Sequence, residues 1–138
     1  MVDSDDHFTN ITNVLLYWKY IRENYIKPYE AYRIFITTDT RSVELDALKE
    51  FGADKVVTIN GTYAHLDREA NLEPDCSKVD KTFLDFHALQ YCDRAVISQS
   101  GFGKLGLWNR PEPNKDLIMF SKSQTFVKVK CDDELVMN

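Results

Sequence analysis

Short apolar strands that alternate with amphipathic helices predict an α/β fold, Rossmann-like and three layers deep. The sheet is expected to be mostly parallel, with four or five strands and helices on both faces. Three observations carry that expectation. Apolar residues recur at three- and four-residue steps in several segments, β-branched runs too short for helices lie between them, and the two signals take turns along the chain. The chain has 138 residues, 43% apolar and 12% aromatic, which suits one hydrophobic core and hence a single domain over 1–138. Its acidic start, residues 1–7, is expected to be disordered.

The elements follow in order. Phe8, Ile11, Val14, Leu15, Trp18, Ile21 and Tyr25 mark one face of a helix that should end near Lys27, before Pro28. Tyr32 to Thr38 is β-branched and aromatic and reads as a buried strand that stops at Asp39. Val43, Leu45, Leu48 and Phe51 give a helix from about Arg41, closed by Gly52, because glycine tolerates the positive φ that follows a helix. Lys55 to Ile59 is a second strand. No period is sustained from Asn60 to about Ser77, where Gly61, Pro74 and scattered charges indicate a long loop. Helical spacing returns from Val79 to Gln90, a third strand runs from Arg94 to Ser98, and a short helix from Gly101 to Asn109 is ended by Pro111 and Pro113. Asp116 to Phe120 is a fourth strand, and Thr125 to Lys130 alternates as an extra edge strand.

Charge and cysteine content narrow the function. Seventeen basic against 22 acidic residues give a net charge of -5, so bulk attraction to nucleic acid or to an anionic membrane has no support. No stretch approaches the roughly 18 uninterrupted apolar residues of a membrane span, and the start lacks the basic-then-apolar order of a signal peptide. Cys76, Cys92 and Cys131 are odd in number, without a CxxC, and are expected to be reduced thiols rather than a disulfide framework or zinc site. Asn10-Ile11-Thr12 and Asn60-Gly61-Thr62 fit the N-glycosylation sequon, a pointer to the secretory pathway if the chain is part of a longer secreted protein.

In open α/β sheets ligands bind beyond the carboxyl ends of the strands. That rule selects Asp39, the Asn60 loop and the segment Ser98-Gln99-Ser100-Gly101-Phe102-Gly103. The last leaves a strand and opens a helix, so its backbone N–H groups and the positive helix end form a natural anion site, with phosphate the obvious guest. The alternative is a tight turn in which Ser100 only caps the helix. Gly101-Phe102-Gly103-Lys104-Leu105-Gly106 satisfies GxGxxG and raises a small NAD(P)-binding domain as a further alternative. Against it, Pro111 cuts the helix short and no acidic residue follows the fourth strand. A serine hydrolase needs a histidine after its nucleophile, whereas His7, His65 and His87 all precede Ser100. Asp85 could accept two N–H donors from a guanine edge or be a surface charge, and His87 suits a core or supporting role. Asp39 could orient a ribose or brace loops. Asp3-Ser4-Asp5 fits a metal-holding DxD pattern but has no strand before it.

At these residues the sequence resembles a known family. Ile36-Thr37-Thr38-Asp39, then Lys81 to Leu89 with Cys92-Asp93, then Ile97 to Leu105 look like the carboxyl-terminal donor half of GT-B-type fucosyltransferases related to the α1,6- and protein O-fucosyl enzymes. The ordered similarity runs from about Phe8 to Phe120, and the DxHxL, CD and SxSGFG series is its most specific part. The resemblance implies a two-lobed, metal-free glycosyltransferase whose second lobe binds GDP-fucose. Asp85 would pair with guanine, Ser98, Ser100, Gly101 and Phe102 would hold the diphosphate, and Gly103 would belong to the same nucleotide-binding segment. Asp39 matches the first aspartate of a TDD-like turn in which Thr40 replaces the second. The arginine motif that the other lobe supplies is not found among Arg22, Arg33, Arg41, Arg68, Arg94 and Arg110. Electrostatic stabilisation of the leaving group is a major catalytic term, so the chain alone is expected to transfer sugar poorly, with a missing amino-terminal lobe or partner chain required. A non-catalytic interaction domain, presenting an exposed first helix with Trp18 and Tyr25, is the reading from a different class.

Overall fold

A computed structural model of the chain describes residues 11–63 and 79–130. Among these residues the elements run α1 (Ile11–Asn24), β1 (Ile34–Phe35), α2 (Arg41–Phe51), β2 (Val56–Val57), α3 (Asp80–Leu89), β3 (Ala95–Ser98), α4 (Gly101–Trp108), β4 (Leu117–Phe120) and β5 (Phe126–Lys128). The fold is α/β, as the alternation of patterns requires. The start of the first helix at Phe8, most of the loop after Tyr63, Asp3-Ser4-Asp5, His7, His65, Cys76 and Cys131 lie outside the described residues.

One correction concerns the sheet. In place of a single sheet of four or five strands there are two: β1 pairs with β2 in parallel, and β3-β4-β5 form a second sheet in which β3 and β4 are parallel and β5 is antiparallel. The ladders are also shorter than the apolar runs. Tyr32 to Thr38 yields a two-residue ladder because only Ile34 and Phe35 have register partners, in Val56 and Val57. The amides of Ile34 and Ile36 both point to this neighbour, donating to Lys55 O at 2.9 Å and Val57 O at 3.0 Å. Hydrophobic periodicity marks what is buried, whereas a strand is defined by its hydrogen-bonded neighbour.

Period-two alternation sends side chains into two cores. Ile36, Val56 and Phe120 join Val14, Tyr17 and Trp18 of α1 and Val43, Ala47 and Phe51 of α2 in the first. Ala95, Ile97 and Leu117 join Leu89 of α3, Leu107 of α4 and Val129 in the second. Val96 packs against the first cluster and Phe35 against the second, so β1 and β3 each divide their residues between the same two helical layers. The first helix is therefore not an exposed interface. Trp18 is 5% exposed and donates from Nε1 to Asp46 Oδ2 at 2.7 Å, and its ring meets Phe51 edge-on at 5.5 Å. Burying each such ring or aliphatic chain is worth about 1.5–3 kcal/mol, more than α1 could gain from helix propensity. Gly52 closes α2 at φ 91° and donates to Leu48 O at 2.9 Å, as its place in the sequence requires.

A cavity of about 1030 Å³ lies between the two sheets, walled by β1 and β3, by the α1 rings Tyr17 and Trp18, and by Tyr25 just past that helix.

Candidate functional site

The carboxyl ends of β1 and β3 and the start of α4 hold the residues selected by the sequence. After β3 the chain turns sharply, with Ser100 N donating to Ser98 O at 2.8 Å, and α4 begins at Gly101. Ser100 caps the helix in extended conformation, its Oγ accepting from Gly103 N at 3.4 Å. The capping role is thus present. It takes up one first-turn amide, while Gly101 and Phe102 stand at positions with no intrahelical carbonyl to bond.

The glycines of this segment have different reasons. A Cβ on Gly103 would meet Ile97 at 3.3 Å, and one on Gly106 would meet Leu89 Cδ1 at 2.6 Å, so these two let α4 pack closely on β3 and α3. In a dinucleotide fingerprint the second glycine makes room for pyrophosphate; here the second glycine faces Ile97. Gly101 has no atom within 4 Å of its would-be Cβ, is exposed, and has no positive φ. Nothing in packing or backbone geometry demands glycine there. Phe102 is half-buried against the second core and meets Phe86 edge-on at 5.4 Å, so its side chain is structural while its amide lies in the first turn. Ser98 is 4% exposed, and its Oγ has no hydrogen-bond partner. Buried hydroxyls are ordinarily paired, and this one is an exception.

The structure places Asp85 within α3 at 2% exposure. Lys81, one turn earlier, donates from Nζ to Asp85 Oδ2 at 2.8 Å, and Thr37 Oγ1 donates to the same oxygen at 3.2 Å. Oδ1 is buried with no partner. Burial pushes the carboxyl above its ordinary range, against the opposing pull of Lys81 and Thr37. The surface-charge reading of Asp85 is excluded by its burial. His87, by contrast, lies on the outward side, with its ring 5.6 Å from Tyr91 and with Gln90 as hydrogen-bond partner. It is not a core histidine.

Beyond β1, Thr38 Oγ1 accepts from Thr40 N at 3.1 Å, and Thr40 Oγ1 donates to Asp39 Oδ1 at 3.0 Å. Thr40 thus holds Asp39 in place. Thr37 links the segment after β1 to Asp85 of α3 by a hydrogen bond, while the bonds of the Thr38–Thr40 turn and of Ser98 to Gly103 stay within those segments. The large cavity does not include this set: its walls stop at Thr37 and Ile97 and do not reach Asp85 or Ser98 to Gly103.

Sequence reasoning gave Lys81 no role, although its i,i+4 spacing from Asp85 is the signal of such a pair. It also passed over Arg110, which is 7% exposed and donates from Nη2 to Asp93 O at 2.9 Å and Lys115 O at 2.6 Å. That arginine ties the loops around β3 and β4 together. Among the described residues no cluster of three or more His, Cys, Asp or Glu side chains could hold a metal ion, and no helix is long and apolar enough to cross a membrane. Comparison with protein-family models, curated proteins and solved structures returns no match for the chain.

Proposed function

We propose that the chain is a GDP-sugar-binding domain, similar to the GDP-fucose-binding half of fucosyltransferases. The observation that carries this reading is the pairing of an unpartnered, buried Ser98 hydroxyl with the open first turn of α4, where Gly101 has room for a ligand. A diphosphate there accepts from Ser98 Oγ and from the Gly101 and Phe102 amides, and the helix dipole favours its charge. In this reading Asp85 meets an N–H of the base through Oδ1, which is closed to solvent and is reached only when the residues over it move, and Asp39, held by Thr40, orients a sugar hydroxyl. The two sheets face each other with β1 and β3 on opposite sides of the cavity, and the site lies at the carboxyl ends of these two strands.

In the complete transferase an acceptor hydroxyl attacks the anomeric carbon, and GDP departs from the opposite face. The resemblance assigns stabilisation of the departing diphosphate to an arginine of the other lobe, so the domain binds donor but turns it over slowly unless joined to a second lobe. Calorimetric titration with GDP, GDP-fucose, UDP and ADP tests the reading. Saturable binding of the two guanine nucleotides, with UDP and ADP weaker, is expected; equal or absent binding across all four rejects it.

A second reading, a non-catalytic interaction domain, draws on a specific feature: Phe83, Tyr91 and Trp108 on or beside α3 and α4 are 58%, 74% and 51% exposed. It predicts partner binding that survives a bulky replacement of Ser100, and no nucleotide affinity.

A further inference from the structure

We propose that Asn60 is an acceptor for an N-linked oligosaccharide. The inference stands apart from the nucleotide reading and rests on how the segment after β2 is held. A tripeptide match alone is a weak signal; the backbone supplies the rest.

The segment is fixed at three points. Val57 O accepts from Ile36 N at 3.0 Å, Tyr63 Oη donates to Glu44 Oε2, and Gly61 lies against α3. At Gly61 φ is +152°, and a Cβ would stand 2.6 Å from Lys81 Cβ, so only glycine fits between the flanking residues. Gly61 forms a bend, and Asn60, Gly61 and Thr62 are all exposed. Neither the Asn60 nor the Thr62 side chain makes a hydrogen bond among the described residues. Regular secondary structure is absent from 58–63 as well. The amide and the hydroxyl two residues on are therefore both open to solvent in an irregular segment, as the modification requires. The other sequon begins at Asn10, outside the described residues, and its Thr12 lies in the first turn of α1.

The donor is an oligosaccharide linked through diphosphate to a lipid. Asn60 Nδ2 forms a bond to the anomeric carbon, and the bond from that carbon to the diphosphate oxygen breaks. The lipid diphosphate leaves with the electron pair, and the amide gives up one proton. A glycan at this point also stands beside β2, which among the described residues pairs on one edge and whose Val57 is 44% exposed, and so screens that strand.

The test is translation of the full chain behind a cleavable signal sequence into microsomes, followed by peptide N-glycanase treatment and peptide mass spectrometry. Protease-protected chain carrying a removable glycan, with aspartate at position 60 after release, is expected. Thr62→Ser should retain the modification, while Asn60→Gln and Thr62→Ala should each abolish it at this position. Because both positions are exposed, these variants leave folding intact, which near-unchanged thermal unfolding of bacterially made protein will check. Protected chain with unmodified Asn60, or with glycan on Asn10 alone, overturns the proposal.

Discussion

Side chains that share one motif have different duties here, and substitution separates them. Gly106→Ala forces a methyl to 2.6 Å from Leu89 and should destabilise the fold by about 1–3 kcal/mol, read by denaturant unfolding. Gly101→Asp meets open space and puts an acid at the start of α4, where it favours the helix, so stability should hold or rise. The same carboxylate repels a diphosphate, so nucleotide binding should be lost; retained binding would remove α4 from the site. Ser98→Ala supplies a second separation. It removes a hydroxyl with no partner, so stability should change by less than about 0.5 kcal/mol while diphosphate affinity falls. Lys81→Met, in contrast, leaves Asp85 charged and uncompensated at 2% exposure and should cost ~3–5 kcal/mol. Serine and glycine after a short apolar run were readable in the sequence as a strand-to-helix turn. That Gly103 and Gly106 serve packing was not, since it depends on Ile97 and Leu89 arriving from other elements.

Elements were legible where their pattern is local. The α2 boundary at Gly52 and the start of α4 at Gly101 follow from residues within one turn of each end. The placement of α1 was not local: its apolar face fits burial against α2 as well as an exposed interface, and the choice was made by Phe51, Val56 and Phe120. Past the end of that helix, Tyr25 has its hydroxyl pKa pushed up to about 12, first by burial and then by Tyr20 and Asp116, with Arg94, 5.5 Å above the ring, opposing. A raised phenol pKa means that the folded state holds its proton more tightly than the unfolded chain. Its stabilising contribution is complete below pH 10, the ordinary value, and disappears as pH rises through about 12. Stability measured against alkaline pH should therefore fall across that window, together with the appearance of phenolate absorbance, and Tyr25→Phe should flatten the Tyr25 part of the slope. Loss confined to below pH 10 would contradict the burial of this ring.

At the scale of the molecule, two helical layers enclose strands belonging to two sheets. The amides of Ile34 and Ile36 face β2, and that of Ala95 donates to Asp116 O at 3.1 Å beside β4, so Phe35 and Val96 direct theirs to the cavity between. Hydrogen exchange should find Ile36 protected and Phe35 and Val96 faster; uniform protection along β1 and β3 would mean that the sheets join. From the sequence alone came the α/β class, the order of the elements, most helix ends and the strand-to-helix turn at Ser98 to Gly103, because each is encoded by residue spacing or by a single backbone preference. Only the tertiary structure decided which strands pair, that α1 is buried, and that Lys81 and Thr37 close on one oxygen of Asp85. Those outcomes depend on contacts between residues tens of positions apart, and a period of two or of 3.6 says which face is apolar but not what will cover it.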